Sequence, residues 1–311
     1  MVAGCGSVAI DELLFLDRSF VEGKGKILRR NVVHGGNVAT ALVAITTLGG
    51  SARWLGYLSP GESAHDLARH GVDLDHATPA KTGPIRSTIM IAPGGDRFIA
   101  FDDDVPLGMP EQGANLQTLL GGVDALLVDA YAAAHGLPLV RAAAAAGIAV
   151  VADIERLDFP HAEELFDIAA HLVIPLEVGQ KVTGLTDELA ICQGLWNKHR
   201  TAVVVTDGSR GAWHLTADGA AHTAAFTVEA VDTSGCGDVF HGAYALSVAG
   251  GSSIAHAVLT ASAAAAVCAT AAGGRGHLPT PADVAALIDA AALLATDLQL
   301  NTHARNPHTN P

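Results

Sequence analysis

From about residue 125 onward, short unbroken apolar runs alternate with longer stretches of helical spacing. "ALLVDAY" (125–131), "IAVVADI", "HLVIPL" and "TAVVVTDG" are continuous Val, Ile, Leu and Ala segments that end in polar residues. A strand with one wet face would alternate; continuous runs mark strands buried on both faces, as in a parallel sheet. Helical patterns separate them: "GLPLVRAAAAAG", closed by Gly147, then "HAEELFDIAA" and "DELAICQGLWNKH". Strand followed by helix, repeated, predicts an α/β fold with a mainly parallel central sheet covered on both faces, a three-layer α/β/α arrangement. The C-terminal third reads as helices over 238–249, 254–271 and 281–295. The closing "NTHARNPHTNP" reads as a polar, frayed tail over 301–311.

The first hundred residues have a different rhythm. "DELLFLD", "KILRRNVV", "STIMIA" and "RFIAF" are strand-like and are joined by glycine-rich turns. "PGGD" (93–96) has the composition of a hairpin turn. No helix separates these strands, so a small β lid is expected, from about 12–34 and 84–104, inserted in one domain spanning 1–300. "MVAGCGSVAIDELLFLD" reads as a first strand. With no basic region ahead of its apolar part, it does not read as a secretion signal.

Composition narrows the function. Half of the 311 residues are hydrophobic and 16% are charged, which suits a packed globular chain. The net charge of −14 argues against a nucleic-acid partner. No apolar run has the length of a membrane span. Cys5, Cys192, Cys236 and Cys268 are far apart and form no C-x-x-C pair, so structural disulfides and zinc are not expected and a reducing cytoplasm is.

Three glycine motifs could carry chemistry. "GCGSVA" (4–9) has the spacing of a dinucleotide fingerprint, but a strand-like run follows it where a helix is needed. "HGGNVATALVAITTLGG" (34–50) reads as a helix over 38–48, with Asn37 as N-cap and Gly49 ending it. A capped buried helix explains it as well as a site for a polyhydroxylated ligand does. "VDTSGCGDVFHGAYA" (231–245) places Gly235-Cys236-Gly237 where a helix should begin. Small residues there let successive amides face one anion, and Asp238 at the edge could take a proton from an attacking hydroxyl. A turn with a dipole-stabilised aspartate is the plainer alternative.

Taken together and in order, these segments resemble the PfkB/ribokinase family of sugar and nucleoside kinases. "DTSGCGDVFHGAY" is similar to the family signature DTxGAGDxF, with Cys236 in place of the usual alanine. "GGNVATALVAITTLGG" is similar to its N-terminal glycine-rich signature. "VTDGSRGAW" (205–213) and "AAGGRGHLP" (271–279) are similar to its nucleotide-binding turn and C-terminal nucleotide loop. The resemblance runs from about residue 2 to 279.

The resemblance implies a ribokinase-like fold and ATP-dependent phosphorylation of a hydroxymethyl group. It makes Asp238 the base and the amides of Gly235, Cys236 and Gly237 the anion hole. It places Asp11, Gly36, Asn37 and Thr40 on the substrate, with Asp11 at the end of the first strand. It places Thr206, Gly208, Gly211, Thr233, Gly235 and Gly274 on the nucleotide. A monovalent cation such as K+ would lie near Asp232 and Thr233, held by backbone carbonyls. A homodimer clasped through the lid is also implied. Magnesium arrives with ATP, yet the family's N-x-x-E is broken. "IPLEVGQKVTG" has Pro175 and Val178 at the Asn and Glu places, and Glu177 is one position off.

Within the family the chain looks closest to sulfofructose kinases, with ketohexokinases nearby. The former hold a sulfonate with a basic residue after the strand that is "LLVDA" here, where this chain has Ala130-Tyr131. Asp102, Asp103 and Asp104 on the lid would repel an anionic sugar. A neutral sugar, a ketose among the choices, is therefore expected. Arg29 and Arg30 argue the other way if they face inward; solvated lid charges are the alternative. A nucleoside kinase and a non-catalytic sugar or nucleotide sensor of the same fold also stand. The lid aromatics Phe15, Phe20, Phe98 and Phe101 are few for gripping a base, and an intact Asp238 has no use in a sensor.

Overall fold

The computed structural model describes residues 1–20, 23–94, 96–109 and 115–304, with 294–304 described by backbone alone. Its central sheet has eight strands in the order Gly219–Thr223, Ala212–Thr216, Ala202–Thr206, His171–Pro175, Ala149–Asp153, Ala125–Asp129, Val2–Cys5 and Ala52–Trp54. All pairings are parallel except the two at the Gly219–Thr223 edge.

The unbroken apolar runs fall in the middle of this sheet because successive side chains go to opposite faces and both faces are covered. Leu127, Val151, Val173 and Val204 enter one core, beneath the helices Asn37–Thr47, Cys236–Ala249 and Ile254–Cys268. Leu126, Val150, Leu172 and Val203 enter the other, beneath Leu137–Ala145 and Glu188–Gly194. The fold is the α/β class expected. Each such side chain contributes about 1.5–3 kcal/mol by burial. The three helices of the C-terminal third differ in length from the sequence reading: one starts at Cys236, one stops at Cys268, and Pro281–Ala304 runs past 295. Residues 305–311 of the expected tail lie outside the described residues.

A second sheet is made of Ile27–Gly35, Ala9–Leu16, Ile85–Ile91 and Arg97–Asp102, in that order. The turn "PGGD" contains residue 95, which lies outside the described residues. The N-terminal run is not the single strand expected. Val2–Cys5 joins the central sheet, the chain breaks over residues 6–8, and Ala9–Leu16 joins the lid. The connection is tightly packed: a side chain on Gly6 would sit 2.5 Å from Val38 Cγ2 and 2.6 Å from the Asp129 carboxyl carbon. Asp11 is therefore a lid-strand residue rather than the end of the first strand.

Candidate active site

The site lies at the carboxyl ends of the parallel strands, where open α/β sheets collect their ligands. Asp232 shapes its central turn. One carboxylate oxygen accepts from Ser234 N (2.9 Å) and Ser234 Oγ (2.8 Å), and the other from Gly273 N (2.9 Å). Burial works against its charge, but these bonds and Arg97 leave its carboxyl below the usual range.

Gly235 follows as N-cap of Cys236–Ala249, with φ 72°. A Cβ there would overlap the Gly274 Cα, so two stretches of backbone touch at this point. Among the described residues nothing accepts from the Gly235 or Gly237 amide. The Cys236 amide, expected to be free with them, reaches Thr233 O at 3.3 Å, because the turn that leads into the helix closes on it. Nothing lies within 4 Å of a Cβ built on Gly237, so an anion can approach that face. Cys236 and Cys268 adjoin beneath the turn, and a hydrogen bond from Cys268 draws the Cys236 thiol down.

Asp238 is half-buried in the first turn of the helix. Burial pushes its carboxyl well above the ordinary range, and Asp153, Glu155 and Asp129 push further. Arg275 opposes them.

Across from this turn the Asn37 helix begins differently from the sequence reading. Gly36 (φ 90°) is the N-cap, and Asn37 makes no side-chain cap bond. Ser7 does the capping: Asn37 N donates to Ser7 Oγ (2.9 Å) and Ala39 N to Ser7 O (3.2 Å). With that task taken, Asn37 Nδ2 donates to Asp153 Oδ2 at 3.2 Å. Asp129 accepts from Ser7 N (2.7 Å) and Tyr131 N (3.0 Å). Burial pushes the Asp129 and Asp153 carboxyls up to about 6. His241 lies between Asp153 and the Cys236–Ala249 helix: its Nε2 bonds Val173 O (3.1 Å) and is 3.5 Å from Asp153 Oδ1, and its Nδ1 is 2.7 Å from Gly237 O.

Arg275 is nearly buried. It donates to Thr40 Oγ1 (3.2 Å), Gly35 O (3.3 Å) and Asp66. Asp11 pairs in register with Ser87 on the neighbouring lid strand; burial raises its carboxyl, and Ser87 and Arg275 oppose. Asp11, Thr40 and Asp238 thus gather around one guanidinium.

Strand register puts Asp11, Ser87, Phe101 and Arg97 on one face of the lid. Arg97 Nη1 reaches down to Ser234 Oγ (2.6 Å), one residue from Gly235. Of the lid charges, Arg29 stacks on Phe15 at 3.7 Å and Arg30 pairs with Glu12 at 3.1 Å. Asp103 accepts from the Tyr131 hydroxyl at 3.4 Å, while Asp102 and Asp104 are exposed. The loop after the next strand brings an arginine near Tyr131. Arg156 lies over the Phe159 ring at 4.4 Å, near Tyr131, and is paired twice with Asp158.

The nucleotide candidates sit further along the sheet. Thr206 ends Ala202–Thr206, Gly208 opens the turn Gly208–Arg210, and Gly211 (φ 97°) closes it. Among the described residues no hydrogen bond joins them to the Asp238 turn. Thr233 is exposed. Glu177 is exposed in the first turn of Leu176–Thr183, while Val178 points into the core. Among the described residues no three His, Cys, Asp or Glu side chains gather as a metal cage, and no helix is long and apolar enough to cross a membrane.

Ser7, Asp129, Asp153, Arg97 and Arg275 were not singled out from sequence. Asp129 and Asp153 had a readable signal, as the polar residues that end apolar strands. Arg275 stands alone as a charge among glycines.

The sequence and the fold have known counterparts. Residues 1–281 match the pfkB family of carbohydrate kinases. The chain belongs to that family. It is 28% identical to Fructokinase-2 of Oryza sativa subsp. japonica, covering 83% of this chain and 85% of that one. The structure of Arabidopsis thaliana ribokinase complexed with ribose and ATP superposes with a TM-score of 0.78, at 21% identity, over 92% of this chain and 97% of the other. The Burkholderia thailandensis nucleoside kinase in complex with inosine superposes with a TM-score of 0.73, at 21% identity, over 93% and 97%. This pfkB-family protein is an ATP-dependent kinase of the sugar and nucleoside class with a ribokinase-like fold.

Proposed function

We propose that this kinase phosphorylates a hydroxymethyl group of a small neutral sugar, with ketoses first in line. One observation carries the reading: Asp238 stands in the first turn of a helix whose leading amides include, among the described residues, two without partners, and Arg275 acts electrostatically on both Asp238 and Asp11. ATP supplies the phosphoryl group, and its magnesium neutralises the phosphates. Asp238 takes the proton of the attacking hydroxyl. The Gly235 and Gly237 amides, with Cys236 beside them, stabilise charge on the transferred group. Asp11, Asn37 and Thr40 orient the sugar next to Gly36. Arg97, carried on the lid, brings a cation to the anion hole and excludes water there. Thr206, Gly208, Gly211, Thr233 and Gly274 hold the nucleotide, and Glu177 reaches magnesium through water.

A neutral substrate suits the charges, because the lid arginines Arg29 and Arg30 and the neighbouring Arg156 are already stacked or paired. K+ would sit on carbonyls beside Asp232, whose carboxylate is taken up by Ser234 and Gly273. Replacing K+ by Na+ in the assay tests that site. A second copy of the chain would cover the lid, where Leu28 is 65% and Val32 62% exposed. A monomeric mass by light scattering across the micromolar range would end that idea. A cytoplasmic setting suits four free cysteines.

The test is ADP release with fructose, tagatose, psicose, ribose, sulfofructose, fructose 1-phosphate, adenosine and inosine. Turnover with a neutral sugar supports the proposal. Turnover only with an anionic sugar overturns the reading of the lid, and turnover only with a nucleoside replaces the acceptor. Silence with ATP still bound favours a sensor.

A further inference from the structure

We propose that Arg275 is a positioning residue that fastens the loop around Gly274 to the sugar-side helix and so sets the backbone of the anion hole. The inference rests on the reading of Asp238 and its turn as a kinase site.

The loop is held on both sides. Toward the catalytic helix, Gly273 N donates to Asp232, and Gly274 lies so close to Gly235 that neither position accepts a side chain without a shift. Toward the sugar side, the Arg275 guanidinium makes its bonds to Thr40 Oγ1, Gly35 O and Asp66. Those partners belong to the Asn37 helix, the end of a lid strand and the helix Glu62–Arg69. Asp66 is itself buried and fixed: it takes Arg69 at 2.6 Å and has His70 Nδ1 at 3.6 Å and His34 Nε2 at 3.9 Å. A buried carboxylate surrounded in this way holds an arginine fork in one orientation. The αL backbone of Gly235, which aims the amides, is thereby braced through Gly274 against three elements.

The same guanidinium bears on the base. The charged or titratable groups facing Asp238 are Asp153, Glu155 and Asp129 at the strand ends, Arg275, and the Cys268 thiol at the end of its helix. Arg275 is the cation of this set and opposes the three carboxylates.

The test compares Arg275→Met, Arg275→Lys and Asp66→Asn with wild type. Circular dichroism checks each fold. Calorimetry gives ATP, ADP and sugar affinities. The pH profile of kcat/KM and the carboxyl carbon-13 shift of Asp238, identified through Asp238→Asn, report the base. In Arg275→Met we expect turnover down by about 10² from displacement of the hole, nucleotide binding weaker by about tenfold, and both acid limb and carbon-13 titration moved to higher pH. Lysine restores the titration but not the nucleotide affinity, since it keeps the charge without the fork. Asp66→Asn lowers turnover without moving the acid limb upward. Arg275→Met with turnover within threefold of wild type, unchanged nucleotide affinity and an unmoved titration overturns the proposal. Should wild type phosphorylate no compound in the panel, the kinase reading fails on that result alone, while nucleotide affinity and the carbon-13 titration still decide the role of Arg275. Should Arg275→Met not fold, Arg275→Lys and Asp66→Asn decide it by the same readouts.

Discussion

Gly235→Ala tests the anion hole most directly. Two effects are built into the position. Its φ of 72° lies in the left-handed region, which costs an alanine about 1–2 kcal/mol. The new Cβ would also fall well inside the 3.4 Å at which ordinary contact with Gly274 begins, and the neighbour there is backbone rather than a yielding side chain. One of the two loops must move by about 1 Å, and a displacement of that size at reacting groups costs about 10² in rate. The expected result is kcat lower by about 10² in an ADP-release assay, with sugar affinity by calorimetry within a few-fold of wild type. Gly237→Ala is the control, since its Cβ would meet nothing within 4 Å in the protein itself. It should fold at least as well as wild type, and any loss should appear as weaker ATP binding. Turnover of Gly235→Ala within threefold of wild type would refute the idea that the Gly235–Gly274 contact aims the amides. Equal losses in kcat at both positions would show that bulk beside the phosphoryl group matters, and not the contact.

Other outcomes follow from the same geometry. Asp238→Asn should lower turnover by about 10³–10⁴ while sugar and ATP still bind; retained turnover would remove Asp238 as the base. Cys236→Ala should keep activity within threefold, because the position needs only a small side chain; a larger loss in the standard assay would assign the thiol a chemical role. The carboxyl of Asp129 is held up at about 6, which weakens the fold by about 3 kcal/mol above that pH, a cost relieved as pH falls toward 4. His171, drawn down to about 4 by burial, acts oppositely, its contribution being present above pH 6.5 and lost as pH falls. In His171→Gln, therefore, the urea midpoint should rise between pH 7.5 and 5, and a fall would refute the raised carboxyls of Asp129, Asp153 and Asp238 taken together.

Much of this was legible before any coordinates. The Val, Ile and Leu runs had to be two-faced strands, and alternate residues such as Leu126 and Leu127 do enter opposite cores. The Gly235–Asp238 turn was legible because its left-handed backbone and close approach call for glycine, and an aspartate suits the first turn of the helix that follows. What escaped was long-range. Nothing local says that the strand beginning at Val2 leaves its sheet near Gly6, where the chain meets a helix and a strand end from elsewhere in the sequence. Asn37 has the chemistry of an N-cap, and it lost that role to Ser7, thirty residues away. Arg275 meets Thr40 and Asp66 across more than two hundred residues, a pairing no local pattern announces.

The short break between Val2–Cys5 and Ala9–Leu16 also bears on how members of this family can be recombined. Residues 6–8 are where the lid joins the body, and Ser7 there is bonded to the Asn37 helix and to Asp129. A lid from a relative cannot be grafted as a free-standing module cut at this point. The segment that tethers it is also a joint of the sugar-side wall, so Gly6, Ser7, Asn37 and Asp129 must travel together. Exchanges confined to the connection between Leu16 and Ile27 would leave that joint whole and change only the rim of the lid.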